Sequence, residues 1–461
     1  MIIRKEDFIE LWVDNLAYGG EGIARVDGFV VFVRGAVPGD RVMARILKKR
    51  KGYANASIVE ILDPSPDRVE APCPYNGYCG GCTYQHLDYG TQLFYKREHV
   101  NDTMKRLGSC ENVRVHEVIP SDKEFEYRNK MEFSFSDRKW IMPEEYLKTG
   151  ENEELALGLH VPGTFYKVID IDACLLQHHE GNSLLRTVRD YAVRSKVPAY
   201  GLKSHQGFWR FLALRYSRTF DEWMVNIITS GSDKDLMMPL VDILHANSNV
   251  RTVVNNISRR RAAIAVGEEE LILSGDGYIR EKIGQYEFHV SANSFFQTNS
   301  SGAEKLYEKV LEYAELKGDE NVLDLYCGTG TIPVFLSRHA REIIGMEISE
   351  SAVRDAERNC RINGVDNCSF VLGDIKDRIS ELGFQPDVLV IDPPRTGIHK
   401  DIIRVIMETG VEKIVYVSCN PATMARDAAS MSSKYDVEEI QPVDMFPHTY
   451  HIESVAKLVL K

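Results

Sequence analysis

The chain has 461 residues, of which 44% are hydrophobic and 27% are charged. This length is too great for a single core, so we expect two or three domains. No apolar run approaches the roughly 20 residues that cross a bilayer, and the first residues lack the apolar core of a signal peptide. The composition therefore excludes an integral membrane protein, and we expect a cytoplasmic one.

The net charge of −12 argues mildly against a nucleic-acid partner. The charge is nevertheless uneven, because residues 41–52 carry six cations and no anion whereas residues 143–154 are strongly acidic. An acidic protein can bind RNA through local basic faces. Composition therefore leaves the partner open.

The first 62 residues contain short predicted strands separated by turn signals, among them Gly19-Gly20 and Pro38-Gly39. This spacing predicts a small closed barrel of the oligonucleotide-binding kind. The run Lys48–Lys51 ends one predicted strand, and it is either a phosphate contact or a solvated surface. Residues 63–72 contain three prolines and are the predicted linker.

The nine cysteines form no short disulfide framework, so they indicate metal ligands or nucleophiles. Cys73, Cys79 and Cys82 lie within CPYNGYCGGC, and Cys174 in DACLLQ is a candidate for a distant fourth ligand. Four thiolates suit an iron–sulfur cluster or structural zinc. The spacing differs from the CxxxCxxC of radical enzymes, so we expect such a group to be structural or to orient RNA.

The rest of the chain divides into a mixed middle and a regular C-terminal part. Residues 117–289 mix predicted strands and helices, and from residue 290 the two alternate as in a mostly parallel, doubly wound sheet. The helix-like segment 93–108 is predicted to pack with that sheet, which makes the middle domain an insertion. The predicted domains are a barrel (1–62), a central α+β domain (63–84 and 117–289) and a C-terminal α/β domain (85–116 and 290–461).

A glycine turn, DLYCGTG (324–330), connects a predicted buried strand to a helix. Its glycines permit close approach of the backbone to a ligand, but Pro333 stands where a dinucleotide motif needs a third glycine. Glu347 ends the next predicted strand, where a carboxylate can hold ribose hydroxyls, and Asp374 follows a third. This ordered set resembles class I S-adenosylmethionine methyltransferases more than nicotinamide enzymes.

A candidate nucleophile, Cys419, lies in SCNPAT (418–423), downstream of IDPPRTG (391–397) and at the end of a predicted strand. Sulfur suits this role because it adds to an electrophile and leaves again reversibly. A nucleophile beside a cofactor site indicates group transfer through a covalent enzyme–substrate adduct.

These two motifs, with SANSFFQTN (291–299), HIESVAKL (451–458) and the four clustered cysteines, resemble the iron–sulfur RNA uracil-5-methyltransferases that carry an N-terminal TRAM barrel. The resemblance covers essentially the whole chain. It implies a class I methyltransferase domain, S-adenosylmethionine and a [4Fe–4S] cluster as cofactors, and RNA as the substrate. We expect the enzyme to act as a monomer.

The resemblance also assigns roles to individual residues. Cys419 becomes the nucleophile that attacks carbon 6 of uracil, and Glu453 becomes the general base that removes the proton from carbon 5. Arg395 follows the two prolines where amino-group methylases have an aromatic residue, which favours carbon methylation, and it is expected to contact phosphate. The implied cofactor contacts are Gln297, Tyr326, Glu347, Asp374 and Asp392, and the implied cluster ligands are Cys73, Cys79, Cys82 and Cys174.

A stacked uracil cannot present carbon 6 to a thiolate, so the substrate must be single-stranded or the base must flip out. The segments Lys48–Lys51, Arg259–Arg261 and 127–130 are candidate phosphate contacts. The barrel and the cysteine cluster favour large-subunit (23S) ribosomal RNA over transfer RNA. An amino-directed methylase, which would not need Cys419, and a non-catalytic RNA-binding protein with a redox-sensing cluster are the alternatives.

Overall fold

The computed structural model describes residues 3–108, 110, 112–142, 155–247, 249–379 and 382–461. The acidic stretch 143–154 lies outside these described residues. The described part of the chain forms a closed barrel, two eight-stranded sheets and a two-stranded hairpin. Within it, no helix has the length and apolar character needed to span a membrane.

The predicted N-terminal barrel is confirmed. It consists of β1 (Phe8–Leu16), β2 (Gly22–Val26), β3 (Phe29–Arg34), β4 (Arg41–Lys49) and β5 (Tyr53–Asp63), and the strands close in the order β1-β2-β3-β5-β4. Alternate side chains point inward along each strand. Val13, Val31 and Ala44 are therefore fully buried, whereas Phe8 and Trp12 on β1 are exposed.

A long helix after the linker, α1 (Tyr89–Leu107), packs against the C-terminal domain. Its inward positions Val100 and Met104 are fully buried in that domain's core. Lys96 donates to Asp444 at 2.6 Å, and both side chains are completely buried. The following strand, β6 (Arg114–Val115), adds to the edge of the C-terminal sheet.

The central sheet has the strand order β14-β13-β12-β11-β7-β9-β10-β8, with α2 (His179–Ser195) and α3 (Lys234–Asn247) as its helices. Its middle strands are buried along nearly their whole length, which explains their continuous apolar sequence. Trp209 and Trp223 are the largest side chains of this core. The strands are β7 (Lys130–Ser136), β8 (Lys139–Trp140), β9 (Ala156–His160), β10 (Val168–Asp170), β11 (Trp209–Ser217), β12 (Glu222–Thr229), β13 (Val250–Ile257) and β14 (Glu269–Ser274).

A hairpin joins the central and C-terminal parts. Its strands, β15 (Tyr278–Ile283) and β16 (Tyr286–Ser291), pair with each other and place Ile283 and Phe288 in the C-terminal core. The domain division expected at residue 290 therefore falls inside this hairpin.

The doubly wound C-terminal sheet is confirmed. Its strands are β17 (Asn321–Leu325), β18 (Glu342–Glu347), β19 (Cys368–Leu372), β20 (Val388–Ile391), β21 (Lys413–Ser418), β22 (Tyr435–Val443) and β23 (Glu453–Leu460), in the order β19-β18-β17-β20-β21-β23-β22-β6. The helices are α4 (Ser300–Ala314), α5 (Thr331–Leu336), α6 (Glu350–Asn363), α7 (Ile375–Arg378), α8 (Lys400–Thr409) and α9 (Pro421–Met431), with a 3₁₀ turn at Ser337–His339. Strands β17 to β21 are parallel, and β23 runs antiparallel to β21. The chain changes direction across the sheet between β17 and β20, where ligands bind in folds of this kind.

Candidate active site

The carboxyl ends of four parallel strands meet at one edge of the C-terminal sheet. There β17 leads into the glycine turn, β18 ends at Glu347, β20 is followed by Asp392, and β21 is followed by Cys419. The antiparallel strand β23 begins at this edge with Glu453. Five of the residues or motifs identified in the sequence thus converge.

The glycine turn is held in a strained, fixed shape. Gly328 and Gly330 have φ values of 54° and 75°, and Tyr326, directly after β17, has φ 67°. A positive φ is uncommon for a bulky residue and is characteristic of functional sites. The Glu347 carboxylate accepts the backbone N–H groups of Gly328 at 3.1 Å and Ser349 at 2.8 Å, which fixes it against the turn.

Three carboxyl groups surround this turn. Asp324 is fully buried, and among the described residues neither of its carboxylate oxygens has a hydrogen-bond partner. Burial raises its pKa well above the usual range, and Asp392 and Glu347 raise it further. Burial also raises the pKa of Asp392 to about 7. A buried, unpartnered acid favours a cationic ligand, so the site fits the sulfonium and ammonium groups of S-adenosylmethionine.

Asp324 was not singled out from the sequence. Its one signal was an acidic residue inside the otherwise apolar strand NVLDL, a position where a charge is costly.

Gln297 lies close to the turn, on the loop that precedes α4. Its side chain is 8% exposed, and its backbone carbonyl accepts the Asn129 side chain at 2.9 Å. Two residues earlier, the Phe295 carbonyl accepts the Thr329 hydroxyl of the glycine turn at 3.4 Å. The loop is therefore anchored to the turn.

Asp374 is engaged differently from the other predicted contacts. It caps α7 by accepting the Lys376 backbone N–H at 3.1 Å, and it pairs with the Lys376 ammonium at the same distance. This lysine lowers the pKa of the half-buried Asp374 carboxyl. Its negative charge raises the pKa of Tyr326, so it lies near the turn while serving its own helix.

Cys419 and Glu453 lie at adjoining ends of neighbouring strands. Ser418, the last residue of β21, pairs with Ser454 of β23, so Cys419 directly follows this pair on one strand and Glu453 directly precedes it on the other. Glu453 is 5% exposed, and burial raises its pKa well above the ordinary value, with a further contribution from Asp392.

Burial and neighbouring charges act in opposite directions on the pKa of the Cys419 thiol, and the net effect is a rise. Burial raises the pKa of its thiol to about 11; Glu453 and Asp392 act in the same direction and Arg395 acts against them. The thiol also precedes α9, whose N-terminal dipole favours a thiolate.

The loop that carries Arg395 is anchored by contacts with α9 and the residue before it. The buried Asp427 carboxylate accepts the Ile398 backbone N–H at 2.8 Å and the Tyr416 hydroxyl at 2.9 Å. In addition, Asn420 donates to the Arg395 carbonyl at 3.2 Å. The helix that begins beside Cys419 thus fixes the backbone of the loop that carries Arg395.

The barrel contributes Tyr18 to this site, a contact that no local pattern in the sequence predicts. Its ring packs edge-on against Tyr450 with centroids 5.4 Å apart. Burial raises the pKa of Tyr18 to about 12, and the charges of Cys419, Arg395 and Glu453 also act on it. The first turn of the barrel therefore lies at the mouth of the cysteine–glutamate pocket.

The four clustered cysteines line one cavity of about 370 Å³ in the central domain. Burial raises the pKa of Cys79 and of Cys82 to about 12, and also raises those of Cys73 and Cys174. Cys174 raises the pKa of both Cys79 and Cys82, so the thiols lie within electrostatic range of one another. In the part of the chain that is described, no three of these sulfurs lie within 4.8 Å of one another.

Arg128 links this cavity to the catalytic edge. It lines the cavity, and its charge opposes the rise in pKa of Cys79, Cys82 and Cys174. Its guanidinium lies 5.9 Å from the Phe446 ring, and it lowers the pKa of His451, two residues before Glu453. Arg128 therefore lies between the cysteine cavity and the segment that leads to Glu453.

Several candidate phosphate contacts are already engaged within the protein. Lys130 pairs with Glu132, Arg259 with Glu269, and Arg260 with Glu268. Lys49 donates to the Ile3 carbonyl at 2.7 Å. These pairings reduce the positive charge that the predicted basic segments offer to RNA.

Comparisons with known proteins agree with this architecture. The sequence model of the tRNA (uracil-5-)-methyltransferase family matches residues 254–461, and that of the TRAM domain matches residues 8–59. An RNA methyltransferase of Chlorobaculum tepidum, described as uncharacterized, is 41% identical over 98% of this chain and 96% of its own length. Another from Halalkalibacterium halodurans, described in the same way, is 38% identical over 100% of this chain and 98% of its own.

A solved structure also matches nearly the whole chain. It is the Pyrococcus abyssi tRNA (uracil-54, C5)-methyltransferase in complex with S-adenosyl-L-homocysteine, with a TM-score of 0.76 and 29% identity over 98% of this chain and 100% of that one. The identity to full-length relatives shows the family. The chain belongs to the S-adenosylmethionine-dependent RNA (uracil-5-)-methyltransferases and carries a TRAM domain at its N-terminus.

Proposed function

We propose that this enzyme methylates carbon 5 of a specific uridine in RNA through a covalent adduct with Cys419. The observation that carries the proposal is the pairing of Ser418 with Ser454, which brings Cys419 and Glu453 to adjoining strand ends next to the acidic crevice around the glycine turn. An amino-group methylase needs neither a thiol nor a neighbouring carboxyl at this position. The pair supports carbon methylation over that alternative.

The first half of the reaction uses the thiolate. Carbon 5 of uracil is a poor nucleophile until Cys419 Sγ bonds to carbon 6, which moves the ring π electrons into an enolate. S-adenosylmethionine held in the acidic crevice would supply an electrophilic methyl group to carbon 5, and the electrons of the broken carbon–sulfur bond would stay on the departing sulfur. Arg395 promotes the step by stabilising the thiolate that begins it.

The second half uses the carboxylate. Glu453 takes the proton from carbon 5, the carbon 5–carbon 6 double bond re-forms, and Cys419 leaves as a thiolate. A carboxyl with a raised pKa is a stronger base than an exposed one, which suits removal of a carbon-bound proton.

The cofactor also tunes these groups electrostatically. Without it, burial and the nearby Asp392 disfavour the ionised forms of both Asp324 and Glu453. A cationic ligand beside Asp324 and Asp392 favours carboxylates over carboxylic acids. Cofactor binding therefore prepares Glu453 to act as a base.

The RNA reaches the pocket past Tyr18, Tyr450 and His451. The last two rings lie 4.4 Å apart, and Tyr18 packs against the first. Aromatic side chains receive unstacked bases, and a flipped uracil needs such partners to offset the loss of stacking. This rim supports a flipped-base substrate.

We further propose that Cys73, Cys79, Cys82 and Cys174 hold a [4Fe–4S] cluster. The four thiols line one cavity of about 370 Å³, and such a ligand set suits an iron–sulfur cluster or structural zinc. The family resemblance favours the cluster. The cluster stabilises the cysteine segment and, through Arg128, the loop leading to Glu453.

The cluster proposal is tested with Cys79→Ser, which should lose iron and lower the thermal stability while S-adenosylmethionine binding is retained. Cys110→Ser, which changes a half-buried thiol outside both sites, is the matched control. Stoichiometric iron in purified Cys79→Ser, or zinc in the wild type purified anaerobically, would reject the ligand set or the metal.

The reaction itself is tested by the fate of the carbon 5 proton. RNA labelled with tritium at carbon 5 of uridine should release one tritium for each methyl group transferred. Methylation of the same RNA without tritium release would place the methyl group elsewhere and reject the proposal.

For the substrate we propose 23S ribosomal RNA, with transfer RNA as the second candidate. The barrel and the four cysteines support ribosomal RNA through the family resemblance. The alignment with the P. abyssi transfer RNA enzyme spans 98% of this chain, so the barrel alone does not separate the two. Mapping 5-methyluridine in both RNA classes from a deletion strain decides between them.

A further inference from the structure

A second cavity, of about 570 Å³, lies in the central domain away from the four thiols. It is formed by the end of β7 with β8, the start of β10 and the loop that follows α2. Its volume is that of a pocket that holds a small organic ligand. The proposed reaction leaves it without a role.

The described lining of this cavity is basic in an otherwise acidic protein. It contains Arg138, Lys139, Lys167 and Lys203 against a single acid, Asp137. The whole chain carries a net charge of −12. Within the described residues, Arg138, Lys167 and Lys203 have no ion-pair partner, unlike Lys130, Arg259 and Arg260 of the predicted basic segments. These three charges are available to an anionic ligand.

Aromatic rings lie among these cations. Trp140 and Tyr166 line the cavity, and the Lys203 ammonium lies 4.4 Å from the centroid of the Tyr166 ring. Tyr166 is 42% exposed, so one part of it is accessible. Flat aromatic surfaces beside free cations are the combination that binds single-stranded nucleic acid, because bases stack and phosphates pair.

One wall of the cavity lies beside the cysteine segment. The Trp140 ring lies 6.0 Å from the Tyr78 ring, and Tyr78 directly precedes Cys79. A strand of RNA seated here therefore lies beside the proposed cluster.

We propose that this cavity binds a single-stranded segment of the substrate RNA outside the target uridine. The inference rests on the proposed function for the identity of the RNA. Trp140 and Tyr166 stack on a base, and Arg138, Lys167 and Lys203 pair with its flanking phosphates. The cavity thereby adds affinity and selectivity that the catalytic pocket lacks.

The test uses a 5′-fluorescein oligouridine about twelve nucleotides long, within the span of one single-strand-binding module. Its affinity is measured against salt concentration for the wild type, Lys167→Ala/Lys203→Ala and the control Lys234→Ala, an exposed lysine on α3. Each phosphate contact to a single strand contributes about 0.7 to the log–log salt slope. The double variant should bind more weakly with a slope smaller by about 1.4, and the control should match the wild type.

Stacking is tested separately. Trp140→Ala should weaken oligouridine binding on the order of tenfold, while Trp140→Phe should retain most of the affinity. All variants should keep wild-type thermal unfolding and S-adenosylmethionine affinity. An unchanged slope in the double variant, or equal losses with Trp140→Ala and Lys234→Ala, would overturn the proposal.

Two further outcomes separate this inference from others. If the double variant loses binding of uridine monophosphate but not of oligouridine, the cavity holds a free nucleotide and the proposal is wrong. The binding measurements need no turnover, so a wild type that binds RNA as expected yet releases no tritium would reject the proposed reaction and leave the cavity assignment intact.

Discussion

Cys419 and the four clustered cysteines are all thiols whose pKa is raised by burial, yet their surroundings differ. Cys419 stands alone at a strand end, opposed by two carboxyls and supported by Arg395. Cys79 and Cys82 have other thiols among their principal neighbours, with Arg128 as the nearby cation. The pKa is therefore raised in both kinds of thiol site. The neighbouring groups, carboxyls in one and other thiols in the other, distinguish the two sites.

The difference teaches how each thiol can ionise. A single buried thiolate needs one cation and a helix N-terminus, both of which surround Cys419. Several thiolates in one cavity repel one another unless a positive group lies between them, which metal binding provides. The first arrangement suits reversible attack, and the second suits permanent coordination.

Replacing the nucleophile should have the largest effect on turnover and should separate the two kinds of thiol most clearly. Cys419→Ala should lower kcat on the order of 10⁶-fold, as removal of the nucleophile does in other covalent enzymes. S-adenosylmethionine affinity, measured by calorimetry, should survive because the acidic crevice is intact. If Cys79→Ser lost as much turnover on a short unstructured RNA while its cofactor binding survived, the distinction between the two kinds of thiol would fail.

Glu453→Gln should have the next largest effect, since it removes the base but keeps the shape. Product release should fall by about 10²–10⁴-fold, while methyl transfer to carbon 5 continues within the adduct. Denaturing gels should then show a protein–RNA species containing the methyl label. Normal release by this variant would assign proton removal to another group.

Arg395→Gln should raise the pKa of Cys419 further, because it removes the cation that opposes the neighbouring carboxyls. A shift of one pKa unit leaves about tenfold less thiolate at neutral pH. Activity should therefore fall about tenfold near pH 7.5 and recover as the pH rises, whereas Arg395→Lys should stay close to the wild type. A loss that is equal at every pH would instead support the phosphate contact expected from the sequence.

The smallest change is expected in thermal stability, from Asp392→Asn. The native Asp392 carboxyl holds its proton up to about pH 7, whereas the unfolded chain releases it near pH 3.9. The native state thus binds more protons in this window, and stability falls as pH rises through it. Asp392→Asn should raise the melting temperature by about 2–8 °C at pH 8 and little at pH 4. The exposed Asp319→Asn is the control, and an equal change at both pH values would contradict the buried-acid interpretation.

The fold was predictable where the signal is local. Alternating residues and turn signals predicted the barrel, and the sequence strand–glycine turn–helix predicted the doubly wound sheet with Glu347 at a strand end. These patterns depend on backbone geometry within a few residues.

Long-range contacts were not predictable in the same way. The approach of Tyr18 to Tyr450, the contacts of Asp427 with the Arg395 loop and the unpartnered state of Asp324 all depend on segments distant in sequence. Asp374 is a case in which local sequence supports two roles. Its strand-end position predicts a cofactor contact, and the structure shows that it also caps the following helix.

The central claim is that Cys419 forms the covalent bond to uracil, and 5-fluorouridine RNA tests it most directly. Fluorine at carbon 5 cannot be removed as a proton, so the adduct should be trapped after methyl transfer. Peptide mass spectrometry after incubation with S-adenosylmethionine should find one methylated fluorouridine attached to Cys419 in each chain. An adduct at another cysteine, or turnover to 5-methyluridine in ordinary RNA without any trapped adduct, would contradict the account.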